Sequence, residues 1–229
     1  MPGFSASDLL RAATYRRFGL KIPEKSSKIA ATLFIRTNTR RWKNLNLVRK
    51  HIKRRFGSVG LSRLVDSEVL NLEEYTYSAS RLKEQVNRYL KTELAIAPHG
   101  AGLTNLVFMR PYSVLVEFMP PQFYDGGYVA MTKHSRVHHI MVGCYKPVPR
   151  SDFDLDEMYW QNRFPDVRHH YKSLDLDTDM LLILGAIEDG IEYLRHNHYY
   201  FQRSNIESVI FPYMCLCQIR FSLSDHFIG

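Results

Sequence analysis

Two short stretches hold the residues that could do chemistry in this chain: RTNTR at residues 36–40, directly after the apolar run IAATLFI, and IAPHGAGLTN at residues 96–105. The guanidinium groups of Arg36 and Arg40 suit diphosphate oxygens, because their donors come in paired, directional forks. In the second stretch, Gly100 and Gly102 let the main chain turn sharply and approach a ligand with no Cβ between. A helix opening near Gly102 would aim free N–H groups and a positive dipole end at that ligand. Thr104 and Asn105 add side-chain donors, and Ala101 and Leu103 complete the loop. The expectation is a cradle for phosphate. Each motif alone also has a plainer reading, as a tight strand-to-helix turn and as a solvated loop of charges.

His99 suits either of two roles beside a diphosphate, a neutral donor or a cation that eases departure of a leaving group, and it could also merely hold the turn. Glu117, near the end of VLVEF, offers two acceptor oxygens to a ribose diol or to a neighbouring arginine. No metal is expected. The aspartate-rich runs SDFDLDE and SLDLDTD lack the glycine and glutamate that a calcium loop needs at its sixth and twelfth positions. The second run reads instead as acids at a helix N-terminus. The pairs His138-His139 and His169-His170 would diverge on a strand, so a shared metal is not expected.

The elements that must position these residues alternate between short apolar runs and periodic segments. Ser7-Asp8 opens a helix through Phe18, ended by Gly19. Ile29–Ile35 reads as a buried strand with Arg36 at its carboxyl end. Leu45, Val48, Ile52 and Phe56 predict a helix capped by Gly57, and Val59–Val65 a second strand. Residues 80–90 predict a helix, Leu94–Ala97 a strand, Gly102–Phe108 a short helix, Val114–Phe118 a strand and His139–Cys144 another. Thr178 or Asp179 caps an amphipathic helix carrying Leu181, Leu184, Ile187, Ile191 and Leu194. The pattern is that of an α/β, Rossmann-like parallel sheet flanked by helices, in which ligands bind outside the carboxyl ends of the strands. The expected organisation is a linking helix and loop at 1–27, a Rossmann-like lobe at 28–196, and a tail at 197–229 with no clear period.

The 229 residues are 45% hydrophobic and 24% charged, as in ordinary globular proteins. A net charge of +8 and a pI near 9.4 favour anionic partners. Much of the excess sits in Arg36–Arg55, where no acidic residue interrupts the run. Cys144, Cys215 and Cys217 form neither a disulfide framework nor a zinc pattern. No leader or membrane-spanning run is evident in the chain.

Taken together, IAPHGAGLTNLVFMRPYSVLVEF, LFIRTNTRRWKN and LKEQVNRYLKTELAIAPHGAGL closely resemble glycosyltransferase family 61 over about residues 9–145, with several separated elements in register. Two positions depart from the family pattern: Pro98 stands where a small residue is usual, and Tyr112 where Gly is usual. The resemblance implies the C-terminal lobe of a GT-B glycosyltransferase, inverting transfer from a UDP-sugar to a glycan or glycoprotein hydroxyl, and work in the Golgi or endoplasmic reticulum lumen. By the same analogy Arg36, Arg40, His99 and the loop Gly100–Asn105 contact UDP, with His99 the catalytic candidate and Glu117 a weaker ribose candidate. Neither a metal nor another cofactor is implied, and the catalytic base is not assigned. Only one lobe can be found. The alternative is a degenerate or fragmentary lobe that binds nucleotide or a partner without catalysis. Nucleic-acid binding by the basic block is a further and weaker alternative, and a nucleic-acid partner is not expected.

Overall fold

The computed structural model describes residues 6–24, 26–57, 69–77, 82–121, 123, 125–143, 169 and 171–201. Five parallel strands form one sheet: β1 (Ile29–Ile35), β2 (Leu70–Thr76), β3 (Leu94–Pro98), β4 (Val114–Met119) and β5 (His138–Gly143), in the spatial order β2-β1-β3-β4-β5. This is the doubly wound arrangement of a Rossmann-like α/β fold, and the strand order reverses between β1 and β3.

The side-chain alternation of the strands sorts the core into two layers. Ile29, Ala31 and Leu33 of β1, Leu94 and Ile96 of β3, and Val114, Val116 and Phe118 of β4 face one way. Against them pack α2 (Leu45–Phe56), through Val48, Ile52 and Phe56, and the long C-terminal helix, through Ile183, Ile187, Ile191 and Leu194. Phe34, Ala95, Ala97 and Leu115 face the other way, onto Tyr89 of α3 (Leu82–Lys91) and onto Leu103, Leu106 and Met109 of and after a 3₁₀ helix at Ala101–Phe108. Each fully buried aliphatic side chain in these layers contributes roughly 1.5–3 kcal/mol.

α1 (Ala6–Phe18) is fastened to this lobe. The buried Arg11 guanidinium donates to the carbonyls of Val107, Met109 and Ser135 and to Asp8, and Asp8 also accepts from Arg136. Since Ser135 ends α4 (Gly127–Ser135), one cation ties three elements together. The C-terminal helix, α5 (Met180–Phe201), begins where Asp179 accepts a bond from the Leu181 N–H, and it runs past the boundary expected at 196.

Several expectations need correction. β2 at Leu70–Thr76 and α4 at Gly127–Ser135 are elements the sequence reading lacked, while the strand expected at Val59–Val65 lies outside the described residues. Cys144, His170, the run SDFDLDE and residues 202–229 lie outside them too. Gly57 follows α2 in an extended conformation, φ −98° and ψ −178°, rather than a left-handed one. Its missing side chain still matters, because a Cβ there would lie 2.7 Å from the Lys53 carbonyl oxygen.

The basic block is not an open field. Arg41 pairs with Asp175, Lys43 with Asp177, Arg49 with Glu74 and Arg55 with Glu188. Only Asp179 of the run SLDLDTD serves a helix N-terminus; Asp175 and Asp177 serve the block instead. Around them the chain closes a strap: Leu176 bridges Trp42, with main-chain bonds from Leu176 N–H to Arg41 and from Lys43 N–H to Leu176. The Trp42 indole N–H in turn donates to the Phe34 carbonyl, which fixes the loop after β1 against its own strand.

Candidate functional site

The site forms where β1 and β3 diverge, at their carboxyl ends. Arg36 leaves β1 and His99-Gly100 leaves β3, so the two stretches singled out in the sequence become neighbours. A Cβ built on Gly100 would lie 2.2 Å from Arg36 Nη1 and 3.4 Å from Arg40 Cζ. Gly100 therefore serves by leaving room for two guanidinium groups, and its φ of 156° is one that side-chain-bearing residues rarely adopt. Arg36 Nε is held by the Thr39 carbonyl at 3.0 Å. Arg40 takes a left-handed conformation, φ 57°, which turns its side chain inward.

Arg40 is the unusual group. It is 8% exposed, and its Nε and Nη1 are buried without a hydrogen-bond partner among the described residues. Burial, and then the nearby Arg36, push its guanidinium down to about 10. An isolated buried cation beside a second cation is costly unless an anion joins them. The cavity that would admit one measures about 320 Å³ and is lined by Arg40, His99, Gly100, Ala101, Asp125, Gly127, Tyr128 and Lys172.

The floor of the cavity is a polar network on the α3 face of the sheet. His99 continues the alternation of Ala95 and Ala97, and Glu117 continues that of Leu115, so their side chains meet across the β3–β4 pair. His99 Nδ1 lies 2.7 Å from Glu117 Oε1, and His139 Nε2 lies 2.8 Å from Glu117 Oε2. Burial works to raise the Glu117 carboxyl, but bonds from His139 and His99 outweigh it and hold the group below the usual carboxylate range. On its other side His99 Nε2 is 4.0 Å from Asp125 Oδ2. The Tyr128 hydroxyl donates to the Gly100 carbonyl at 2.8 Å and pins the loop from above.

Glu117 is thus not placed to hold a ribose. It is fully buried, and both of its oxygens are taken by histidines rather than by an arginine. Gly102 also faces away from the cavity: a Cβ there would meet the Tyr77 ring at 2.3 Å, and its carbonyl accepts from the Tyr89 hydroxyl. Leu103 is core. Thr104 donates back to the Ala101 carbonyl, and Asn105 turns to Gln85. The short helix is 3₁₀ rather than α, and its Leu103 N–H is spent on the Gly100 carbonyl. Within the loop, only His99, Gly100 and Ala101 line the cavity.

Sequence reasoning missed Asp125, Tyr128, Lys172 and His139. Asp125 holds the first N–H of α4, that of Gly127, so a turn signal at DGG was available. Lys172 reaches the site only through the strap, and nothing local marks it. The histidine pair does diverge as expected: His138 stacks on Tyr193 of α5 with ring centroids 3.9 Å apart, while His139 points to Glu117 on the opposite face. Among the described residues no three side chains gather as a metal centre would require, and no helix is long and apolar enough to cross a membrane.

Compared with known proteins, the chain matches the family model described as Glycosyltransferase 61 over residues 6–116. No curated protein matches it. Among solved structures, a glycerate dehydrogenase related protein from Thermoplasma acidophilum is similar at 8% identity and a TM-score of 0.31, over 86% of this chain and 66% of that one. A likeness so remote carries nothing about function. The family match, by contrast, spans the stretch from α1 into β4 that supplies both diverging strand ends, and over that stretch the chain is similar to glycosyltransferase family 61.

Proposed function

We propose that this chain is the donor-binding lobe of an inverting glycosyltransferase of GT-B type, which takes a UDP-sugar and delivers the sugar to a hydroxyl of a glycan or glycoprotein. The observation that carries the reading is the buried guanidinium of Arg40, whose Nε and Nη1 find no partner among the described residues, beside Arg36 and Gly100. A diphosphate would supply acceptors for both arginines, and the glycine lets it come close to main chain. Arg40, Gly100 and Ala101 of the cavity lining, with Arg36 beside Gly100, form the diphosphate end, and Lys172 adds a cation to the lining. The family match supports sugar transfer as the chemistry, and by the habit of that family the work is done in the lumen of the endoplasmic reticulum or Golgi. No metal is required for donor binding in this reading, since the arginines carry the countercharge.

The test is calorimetric titration of the purified chain with UDP in the presence of EDTA. Binding that weakens more than tenfold in both Arg36→Ala and Arg40→Ala is the expected result, from loss of charge-assisted bonds worth about 1.5–3 kcal/mol. Equal affinity in wild type and both variants removes the diphosphate site. Incubation with a panel of UDP-sugars and glycan or glycopeptide acceptors then separates a working enzyme from a lobe that only binds.

A further inference from the structure

The mechanism of donor binding leaves one buried group unused: His139, which touches neither the cavity nor the arginines yet completes the hydrogen bonding of Glu117. A fully buried carboxylate is tolerated only when both of its oxygens are met by donors. Here the donors are imidazole N–H groups on two different strands' ends, and each must put a proton on the nitrogen that faces the carboxylate. For His99 that nitrogen is Nδ1, at 2.7 Å. Were the proton on Nε2 instead, a lone pair and an anionic oxygen would face one another at that distance. With Nδ1 committed, the remaining nitrogen, Nε2, lies on the cavity side, toward Asp125.

We infer that His139 is a positioning residue that acts on His99 through Glu117: the two histidines clamp the carboxylate, His99 keeps its proton on Nδ1, and its bare Nε2 is a proton acceptor for a hydroxyl bound in the cavity. This deepens the glycosyl-transfer reading and rests on it for the identity of that hydroxyl. In the transfer, the hydroxyl oxygen's electron pair forms the new bond to the anomeric carbon and its proton passes to Nε2 of His99. The bond from that carbon to the diphosphate breaks, and its electron pair leaves on the diphosphate oxygen beside Arg36 and Arg40. The imidazolium formed is stabilised by Glu117 and returns its proton to water. His99 is thereby the base rather than a donor to the leaving group, a role the two arginines already fill.

The groups around this relay come from every element packed on it. His99 faces Glu117 from β4 and Asp125 and Tyr128 from the approach to and first turn of α4, and it shares the cavity lining with Arg40 from the loop after β1 and with Lys172. His139 faces Glu117 and, at 3.4 Å, Thr132 of α4. If His139 were replaced by an apolar residue, Glu117 would keep a single donor and could turn away from His99, so that the proton on Nδ1 would no longer be fixed there.

The experiment is nitrogen NMR of the ligand-free chain, labelled with ¹⁵N in histidine, near neutral pH, for wild type, His139→Gln, His139→Leu and the isosteric Glu117→Gln, with UDP titrations run alongside. In wild type the His99 signals are expected as Nδ1 protonated and Nε2 unprotonated. His139→Gln, which keeps an N–H donor, retains that signature. His139→Leu and Glu117→Gln both lose the fixed pattern through mixing of the two tautomers, while both still bind UDP. A protonated Nε2 in wild type, or identical His99 signals in wild type, His139→Leu and Glu117→Gln, overturns the inference. Wild-type protein that shows the expected signature but does not bind UDP overturns the donor-site reading and the hydroxyl step, and leaves the clamp standing.

Discussion

Replacing Arg40 with Met separates stability from binding in a way few substitutions can. The side chain is buried and its Nε and Nη1 lack partners among the described residues. A guanidinium pushed down to about 10 by burial and by Arg36 bears a penalty on its charged form of roughly 3 kcal/mol, at about 1.4 kcal/mol per pH unit. Leaving buried donors unmet costs about 1–3 kcal/mol by a separate route of estimation, so the two agree in size. Met keeps the volume of the stem and removes the charge. The ligand-free variant should therefore unfold in urea with a stability equal to wild type or up to about 3 kcal/mol higher, each 1 kcal/mol raising Tm by roughly 2–4 °C for a domain of this size. UDP affinity, measured by calorimetry on the same preparation, should fall roughly ten- to a hundredfold. A variant that is less stable than wild type by more than about 1 kcal/mol, or that binds UDP within a factor of two of it, refutes the reasoning, because either result means that Arg40 has a structural partner and is not waiting for an anion.

Other substitutions probe separate joints of the same frame. Gly100→Ala puts a methyl 2.2 Å from Arg36 Nη1 at a φ of 156°, so UDP affinity should drop about tenfold or more alongside a stability loss of about 1–3 kcal/mol in urea unfolding, and unaltered affinity would show that Arg36 has another place to lie. Gly102→Ala drives into the Tyr77 ring; it should cost about 1–3 kcal/mol in urea unfolding through overpacking, with a smaller effect on UDP binding than Gly100→Ala has. Arg11→Met strands the carbonyls of Val107, Met109 and Ser135 and should destabilise the chain by about 3–5 kcal/mol, read by thermal unfolding; a loss under 1 kcal/mol would mean that α1 is not anchored there. His138 is pushed down to about 4 by burial and by His139. The unfolded chain then takes up a proton that the native chain refuses, so the contribution is intact above about pH 6.5, shrinks as pH falls through that value toward 4, and levels off below it. His138→Phe, which preserves the stack on Tyr193, should flatten that part of the stability–pH curve, and an unchanged curve contradicts the assignment.

What could be read in advance follows from how local each signal is. β1, β3 and β4 are buried on both faces and so appear as unbroken apolar runs, and α2, α3 and α5 carry an apolar stripe at helical spacing. β2 escaped because LNLEEYT is an edge strand whose Glu73 and Glu74 face solvent and meet Arg88 and Arg49. α4 escaped because GYVAMTKHS buries only Thr132 and Ser135 in full, leaving no apolar periodicity to see. In the site, Arg36, Arg40 and His99 were legible because a strand end fixes where the next residue goes. Glu117 was legible as a polar residue in an apolar strand, but its role was misjudged: alternation places it on an interior face, and its partner His139 comes from another strand. Asp125, Tyr128 and Lys172 converge only through tertiary packing, which no spacing along the chain encodes.

The strap at Leu176 has a consequence for the order of assembly. Arg41 and Asp175 are 134 positions apart in sequence, so the loop bearing both arginines is stitched down by a segment that a ribosome delivers long after β1, β3 and β4 are complete. Contacts of such separation form late, because the chain between them must first give up its freedom. A nascent chain of this protein would hold β1, β3 and β4 before the loop bearing Arg36 and Arg40 is fastened, so the nucleotide binding proposed above would have to wait for the strap segment to emerge.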